Sequence, residues 1–293
     1  MKHVVTVQDI SCVGRCSLTV ALPVLSAMGV QTSVLPTAVL STHTRFPDPA
    51  VCDLTEQIPA IAAHWKRIGV RFDGIYTGYL GSVRQLSLIS DFMDDFGHDA
   101  FIFIDPVMAD HGRLYAGFSD EYVLRMRAFC TKADVIVPNI TEACLLLGIH
   151  YCGDGRTEEE IRELAVRLTE LGVRQAVVTG VRGEPDRLGA VAYDSGSGTF
   201  FSAFGERISG SFHGTGDLFA SVCVGSLANG RSLGEAIAAA VDFTCACIRQ
   251  TPPDDCGSAF GVNFEAALPS LILPCGRASA TVTTNRSFSS RVL

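Results

Sequence analysis

Lysine is nearly missing from this 293-residue chain: only Lys2, Lys66 and Lys132 occur, and none lies in a Gly-Lys-Ser/Thr context. A P-loop is therefore excluded, and the absence of a His-Arg-Asp run excludes a protein-kinase catalytic loop. There is no basic block to offset a net charge of -8, so neither nucleic acid nor an anionic membrane is an expected partner. No apolar run approaches the eighteen or more residues of a membrane span, and the short, soon-acidic start Met1 to Asp9 does not read as a signal peptide. Eleven cysteines are scattered without a Cys-x-x-Cys pair. Cys12, Cys16, Cys245 and Cys247 fall in apolar runs and read as buried free thiols, which points to a reducing cytoplasm.

What the chain does have is apolar residues, 47% of the total, enough for a sizeable core. Strand-like and helix-like stretches alternate, which predicts an α/β domain of three layers around a mostly parallel sheet. Strands are expected at 3–7, 30–40, 72–77, 100–104, 135–137 and 175–179, and a hairpin at 188–204 turns on Asp194-Ser195-Gly196-Ser197-Gly198. Residues 8–14 read as a loop at the carboxyl end of the first strand, where ligands gather in open α/β sheets. Residues 16–29 read as a helix that Pro23 kinks or delays. One domain over 1–274 is expected, with a mobile, patternless tail at 275–293.

The stretch Ser209 to Ser221 carries the chemistry. Gly214 and Gly216 admit a close backbone approach, and the apolar run from Leu218 reads as a buried helix. The unpaired N–H groups at its start form an anion site suited to a phosphoryl group. Asp217 either caps that helix or accepts a proton from an attacking hydroxyl.

Gly214-Thr215-Gly216-Asp217 resembles the anion-hole motif of the ribokinase-like small-molecule kinases, in particular the pyridoxal kinases. Five further motifs come in the family's order along the chain. Gln8 and Gly14 keep the spacing of the family's first loop; Ser41, His43 and Thr44 match its Ser-Asn-His-Thr, with Thr42 for Asn. Thr77-Gly78-Tyr79-Leu80 matches next. Asp105-Pro106-Val107-Met108-Ala109-Asp110 then differs from the family only at Ala109, a glycine there. Last, Pro138-Asn139-Ile140-Thr141-Glu142 matches the magnesium-associated motif.

The resemblance implies a ribokinase-like α/β/α fold and ATP-dependent phosphorylation of the 5'-hydroxymethyl group of a B6 vitamer. It assigns Asp217 as base and Gly214, Thr215 and Gly216 as phosphate binders. Thr44 and Tyr79 would face the vitamer, Tyr79 by stacking. The family's ring-nitrogen serine falls by count on Asp9, and Ser11 is held jointly with it. Asp105, Tyr115, Asn139, Glu142 and Thr179 would serve ATP. Asp105 and Glu142 would hold Mg2+, Glu142 with Asn139 through water, and Asp110 either helps or only shapes its loop. A monovalent cation such as K+ and a homodimer are further implications. The alternatives are a hydroxymethylpyrimidine kinase of thiamine synthesis, whose usual Gly-Ser-Asp-Ser-Gly-Gly loop is missing, and a non-catalytic B6-binding protein on the same fold.

Overall fold

The computed structural model describes residues 1–153, 155–210, 212–252 and 259–272; the tail expected from Cys275 lies outside them. Short β-branched runs make the strands: β1 His3–Val13, β2 Gln31–Thr42, β3 Val51–Asp53, β4 Gly74–Thr77, β5 Phe101–Ile104, β6 Ala109–Asp110, β7 Arg113–Leu114, β8 Val135–Ile136, β9 Gln175–Arg182, β10 Arg187–Asp194 and β11 Thr199–Glu206. Amphipathic or wholly apolar stretches make the helices: α1 Leu18–Ala27, α2 Ile58–Arg67, α3 Val83–Phe96, α4 Asp120–Cys130, α5 Ile140–Leu147, α6 Glu158–Thr169, α7 Thr215–Ala228 and α8 Leu233–Arg249.

Nine strands form one sheet in the order β11-β10-β9-β8-β5-β4-β1-β2-β3. The central pairings from β2 to β9 are parallel, and only the edges, β9 with β10 and β11 and β2 with β3, are antiparallel. Alternation along β1 sends Val5 and Val7 to one face and Val4 to the other. The first face packs the apolar sides of α3, α4, α5 and α6. The second packs α1, α7 and α8, with Tyr76 and Phe103 projecting from the sheet. This is the expected three-layer α/β/α arrangement.

Three local expectations are corrected. Residues 8–13 are not a loop: β1 continues to Val13, pairing Ile10, Ser11 and Val13 with β2 after a register shift between Gln8 and Ile10. A bulge of this kind re-aims a side chain without ending the strand, and here it falls on Asp9. The first helix begins at Leu18, not Cys16, because Ser17 takes a left-handed φ of 49° ahead of it. Cys12 is exposed, whereas Cys16, Cys245 and Cys247 are buried; the nine cysteines among the described residues are all free.

Candidate active site

The carboxyl edge of the parallel strands carries the site, as expected for an open α/β sheet. Asp9 leaves the bulge in β1, Tyr79 follows β4, Asp105 follows β5, Asn139 follows β8, and α7 enters from the second face. At the start of α7, Gly214 is the N-cap with φ 78°, and no side chain caps the helix. A Cβ on Gly214 would collide with the Arg15 carbonyl oxygen, so only glycine fits this turn. Gly216 is exposed with open space around it, and the Thr215 hydroxyl donates back to the Phe212 carbonyl, 3.3 Å. The first-turn amides, without a side-chain cap, make a ready anion site.

Asp217 lies half-buried in that first turn. Burial pushes its pKa up to about 7, the nearby Asp9 charge adds to the rise, and the Ser17 amide partly opposes it. A carboxylate poised near neutrality can accept a proton from an alcohol.

Two more carboxylates lie close by. Asp105 is buried and held well above the usual carboxylate range by burial and by the charges of Glu142 and Asp217. Glu142 is also buried and raised, chiefly by burial. Its Oε1 accepts from the Met108 and Ala109 amides at 3.0 and 3.4 Å, and its Oε2 accepts from the Asn139 amide at 2.9 Å. Asn139 returns the bond as N-cap of α5, its Oδ1 accepting from the Glu142 amide at 2.9 Å, and its Nδ2 donates to the Ala109 carbonyl at 2.8 Å. Glu142 thus fixes the loop that follows Asp105. Tyr115 lies over this group, its hydroxyl pushed up by burial and by the charges of Glu142, Asp110, Asp105 and Asp217.

Among the described residues no three His, Cys, Asp or Glu side chains converge tightly enough to hold a metal directly. Yet no cationic side chain acts on Asp105 or Asp217. This excess of buried negative charge fits a hydrated divalent cation, which Mg2+ provides by keeping several waters.

A cleft of about 240 Å³ runs beside these groups, from Asn139 and Thr141 past Thr179 to Gly210, just ahead of the α7 turn. Thr179 is tied to the strand end, its amide donating to the Pro138 carbonyl at 3.0 Å. Arg182 and Arg207 also line this cleft, and sequence reasoning missed them. The weak signal for Arg182 was its position at the end of β9, two residues beyond Gly180.

On the other side of Asp217, Ser11 donates to Asp9 Oδ2 at 3.2 Å, so the two residues held jointly from sequence act as one group. Asp9 is buried and raised by burial, with Ser17 and Ser11 opposing. Tyr79 is half-buried against Phe118, ring centroids 5.6 Å apart, and the Asp9 charge reaches its hydroxyl. Thr44 is exposed in the turn after β2. Its neighbour His43 is buried, stacks on His213 at 3.9 Å, and bonds the Ala259 carbonyl through Nε2 at 2.9 Å. The Arg15 amide donates to the Phe260 carbonyl, 2.7 Å, and the Val262 amide to the His213 carbonyl, 3.3 Å. Residues 259–262 therefore clasp both the loop before α1 and the turn before α7, a role no sequence motif announced.

The fold is that of the ribokinase-like small-molecule kinases. A family model described as phosphomethylpyrimidine kinase matches residues 22–260. The chain belongs to this family. A Bacteroides thetaiotaomicron protein assigned as a phosphomethylpyrimidine kinase, crystallised with pyridoxal, is 42% identical with a TM-score of 0.88, covering 95% of this chain and 98% of that one. The pyridoxal kinase of Lactobacillus plantarum is 35% identical with a TM-score of 0.83, covering 92% and 96%. The chloroplastic thiamine biosynthetic bifunctional enzyme of Arabidopsis thaliana is 31% identical over 76% of this chain. The chain spans about half the length of the curated relatives it matches, 47% and 42% in two cases.

Proposed function

We propose that this protein phosphorylates the 5'-hydroxymethyl group of a B6 vitamer, pyridoxal, pyridoxine or pyridoxamine, with ATP. The observation that carries the reading is Asp217, raised to about 7, in the first turn of a helix whose N-cap makes no side-chain bond. Asp217 takes the hydroxyl proton as the vitamer oxygen attacks the γ-phosphorus, the bond from that phosphorus to the β,γ-bridging oxygen breaks and ADP leaves, and the Gly214, Thr215 and Gly216 amides receive the transferring group's charge. Such positioned donors are the main means of catalysis in phosphoryl transfer. Asp9 with Ser11 faces the ring nitrogen, Thr44 and Tyr79 border the ring, and Asn139, Thr179, Asp105 and Tyr115 serve the nucleotide. Asp105 and Glu142 would hold Mg2+ through water, and the bound ion would neutralise phosphate charge. K+ dependence, a homodimer and a cytoplasmic setting belong to the same proposal.

The L. plantarum enzyme and the pyridoxal-bound Bacteroides protein support a pyridine substrate. The family description and the Arabidopsis enzyme favour a second reading, a hydroxymethylpyrimidine kinase. ATP consumption measured with the three vitamers and with hydroxymethylpyrimidine separates them: turnover on vitamers is expected, and turnover on the pyrimidine alone would replace the first reading by the second. In the same assay Asp217→Asn is expected to leave both substrates bound while turnover falls by about 10²- to 10⁴-fold. Undiminished turnover in that variant would remove Asp217 as the base.

A further inference from the structure

Behind Asp217, on the side away from the cleft, the interior between sheet and α7 is unexpectedly polar. Thr6 and Gln8 project from β1 toward the α7 face, two residues apart on one side of the strand. Thr6 is the register partner of Tyr76 on β4. Gln8 lies across Gly78, where a Cβ would stand 3.0 Å from its Cδ. Ser221 comes from α7, four residues and so about one turn beyond Asp217, on the same face of the helix.

Thr6, Gln8, Tyr76 and Ser221 are each 0% exposed. The Thr6, Tyr76 and Ser221 hydroxyls and both ends of the Gln8 amide close no direct hydrogen bond. Ser221 and Gln8 approach the Tyr76 hydroxyl closely enough to act on it as side-chain hydrogen-bond partners, yet neither contact closes a bond of good geometry, and the charges of Asp217 and Asp105 reach the same hydroxyl. Leaving a buried polar group unsatisfied costs about 1–3 kcal/mol, and native interiors contain few such groups. Five unmet atoms between the sheet and α7, with Gln8 and Ser221 both reaching the Tyr76 hydroxyl, call for a shared polar occupant, and a water molecule with two to four polar partners is the usual one.

We infer that Gln8, Tyr76 and Ser221, with Thr6 beneath them, enclose ordered water behind the first turn of α7 and through it position Asp217. The positioning role rests on the kinase reading; the enclosed water does not. Asp217 is surrounded by groups from every element around it: Asp9 from β1, Cys16 and the Ser17 amide ahead of α1, Tyr76 from β4, and Asp105 and Tyr115 from the loops after β5 and β7. None of these is a cation. A neutral, water-filled network at its back is then the means of fixing the carboxylate without adding charge.

The test combines a high-resolution crystal structure with two variants that each delete one oxygen, Tyr76→Phe and Ser221→Ala. The expected structure contains water bonded to the Tyr76 hydroxyl and the Ser221 Oγ, displaced or disordered in both variants. Direct bonds among Gln8, Tyr76 and Ser221 with no water between them would overturn the inference. In steady-state assays kcat is expected to fall about fivefold to tenfold in each variant, the loss of about one hydrogen bond's worth of positioning, with KM nearly unchanged and Tm lowered as the remaining buried groups lose their shared partner. Unchanged kcat in both, beside an active wild type, would overturn the positioning role. A wild type that phosphorylates no vitamer would instead sink the proposed function, and the crystallographic result would still decide the water.

Discussion

A single methyl group would disable the turn before α7. Gly214 adopts a left-handed φ of 78°, and a Cβ there meets the Arg15 backbone, which cannot swing away as a side chain could. Gly214→Ala is expected to destabilise the fold by about 1–3 kcal/mol and to abolish phosphoryl transfer, read together by thermal melting and turnover. Asp217 makes a prediction of a different kind. Its pKa in the folded protein, about 7, lies above the ordinary 3.8, so the carboxyl favours folding below pH 4 and loses that contribution as pH rises through about 7. Asp217→Asn, which never ionises, is therefore expected to gain in Tm over the wild type from about pH 4 to about pH 7, after which the gain levels. A difference independent of pH would show that burial does not raise this carboxyl. In the wild type, kcat/KM should rise with pH through the same region as the base is freed. At this scale the sequence was informative about position: it set Asp217 at the start of a buried helix, and Asp217 lies in the first turn of α7. It was ambiguous for Asp9 and Ser11, because counting positions cannot reveal a register shift that turns two neighbours into one bonded pair.

Secondary-structure elements were legible to the extent that their periodicity was clean. The capping boxes that open α6 and α8, Thr157 with Glu160 and Ser232 with Glu235, are written in the sequence as the Ser/Thr-x-x-Glu pattern. The extension of β1 was not legible, because Gln8, Asp9 and Ser11 are polar residues in a strand buried on both faces, and polarity reads as loop. The cap of α5 has a further use: the same Glu142 carboxylate that bonds the Asn139 amide also pins Met108 and Ala109. Glu142→Ala removes both at once. Calorimetry should register a loss of about 1–3 kcal/mol from the orphaned amides, and the Mg2+ concentration needed for half-maximal activity should rise. If stability and Mg2+ response stay as in the wild type, Glu142 neither anchors that loop nor serves the ion.

Across the whole molecule, charge is distributed against the general trend. The chain carries a net -8 and clusters carboxylates at its centre, yet Arg182 and Arg207 line the cleft that leads to them. Double replacement of both arginines by alanine is expected to weaken ATP binding about tenfold, measured by calorimetric titration; equal affinity would exclude them from the nucleotide site. The two hydrophobic cores on either face of the sheet were predictable in kind from the apolar content and the alternation of elements. The clasp formed by residues 259–262 was not, because its hydrogen bonds use that segment's own backbone carbonyls and amide, which leave no trace in side-chain identity.

That clasp bears on biosynthesis. His43 receives its carbonyl partner from Ala259, 216 positions later in translation. Only at the end of that interval has every strand and helix of the sheet layers been synthesised, and until then the Asp9 side of the site lacks its closing contact. A chain released just short of Ala259 would thus own the full sheet and the turn before α7 while its histidine pair stood unfastened.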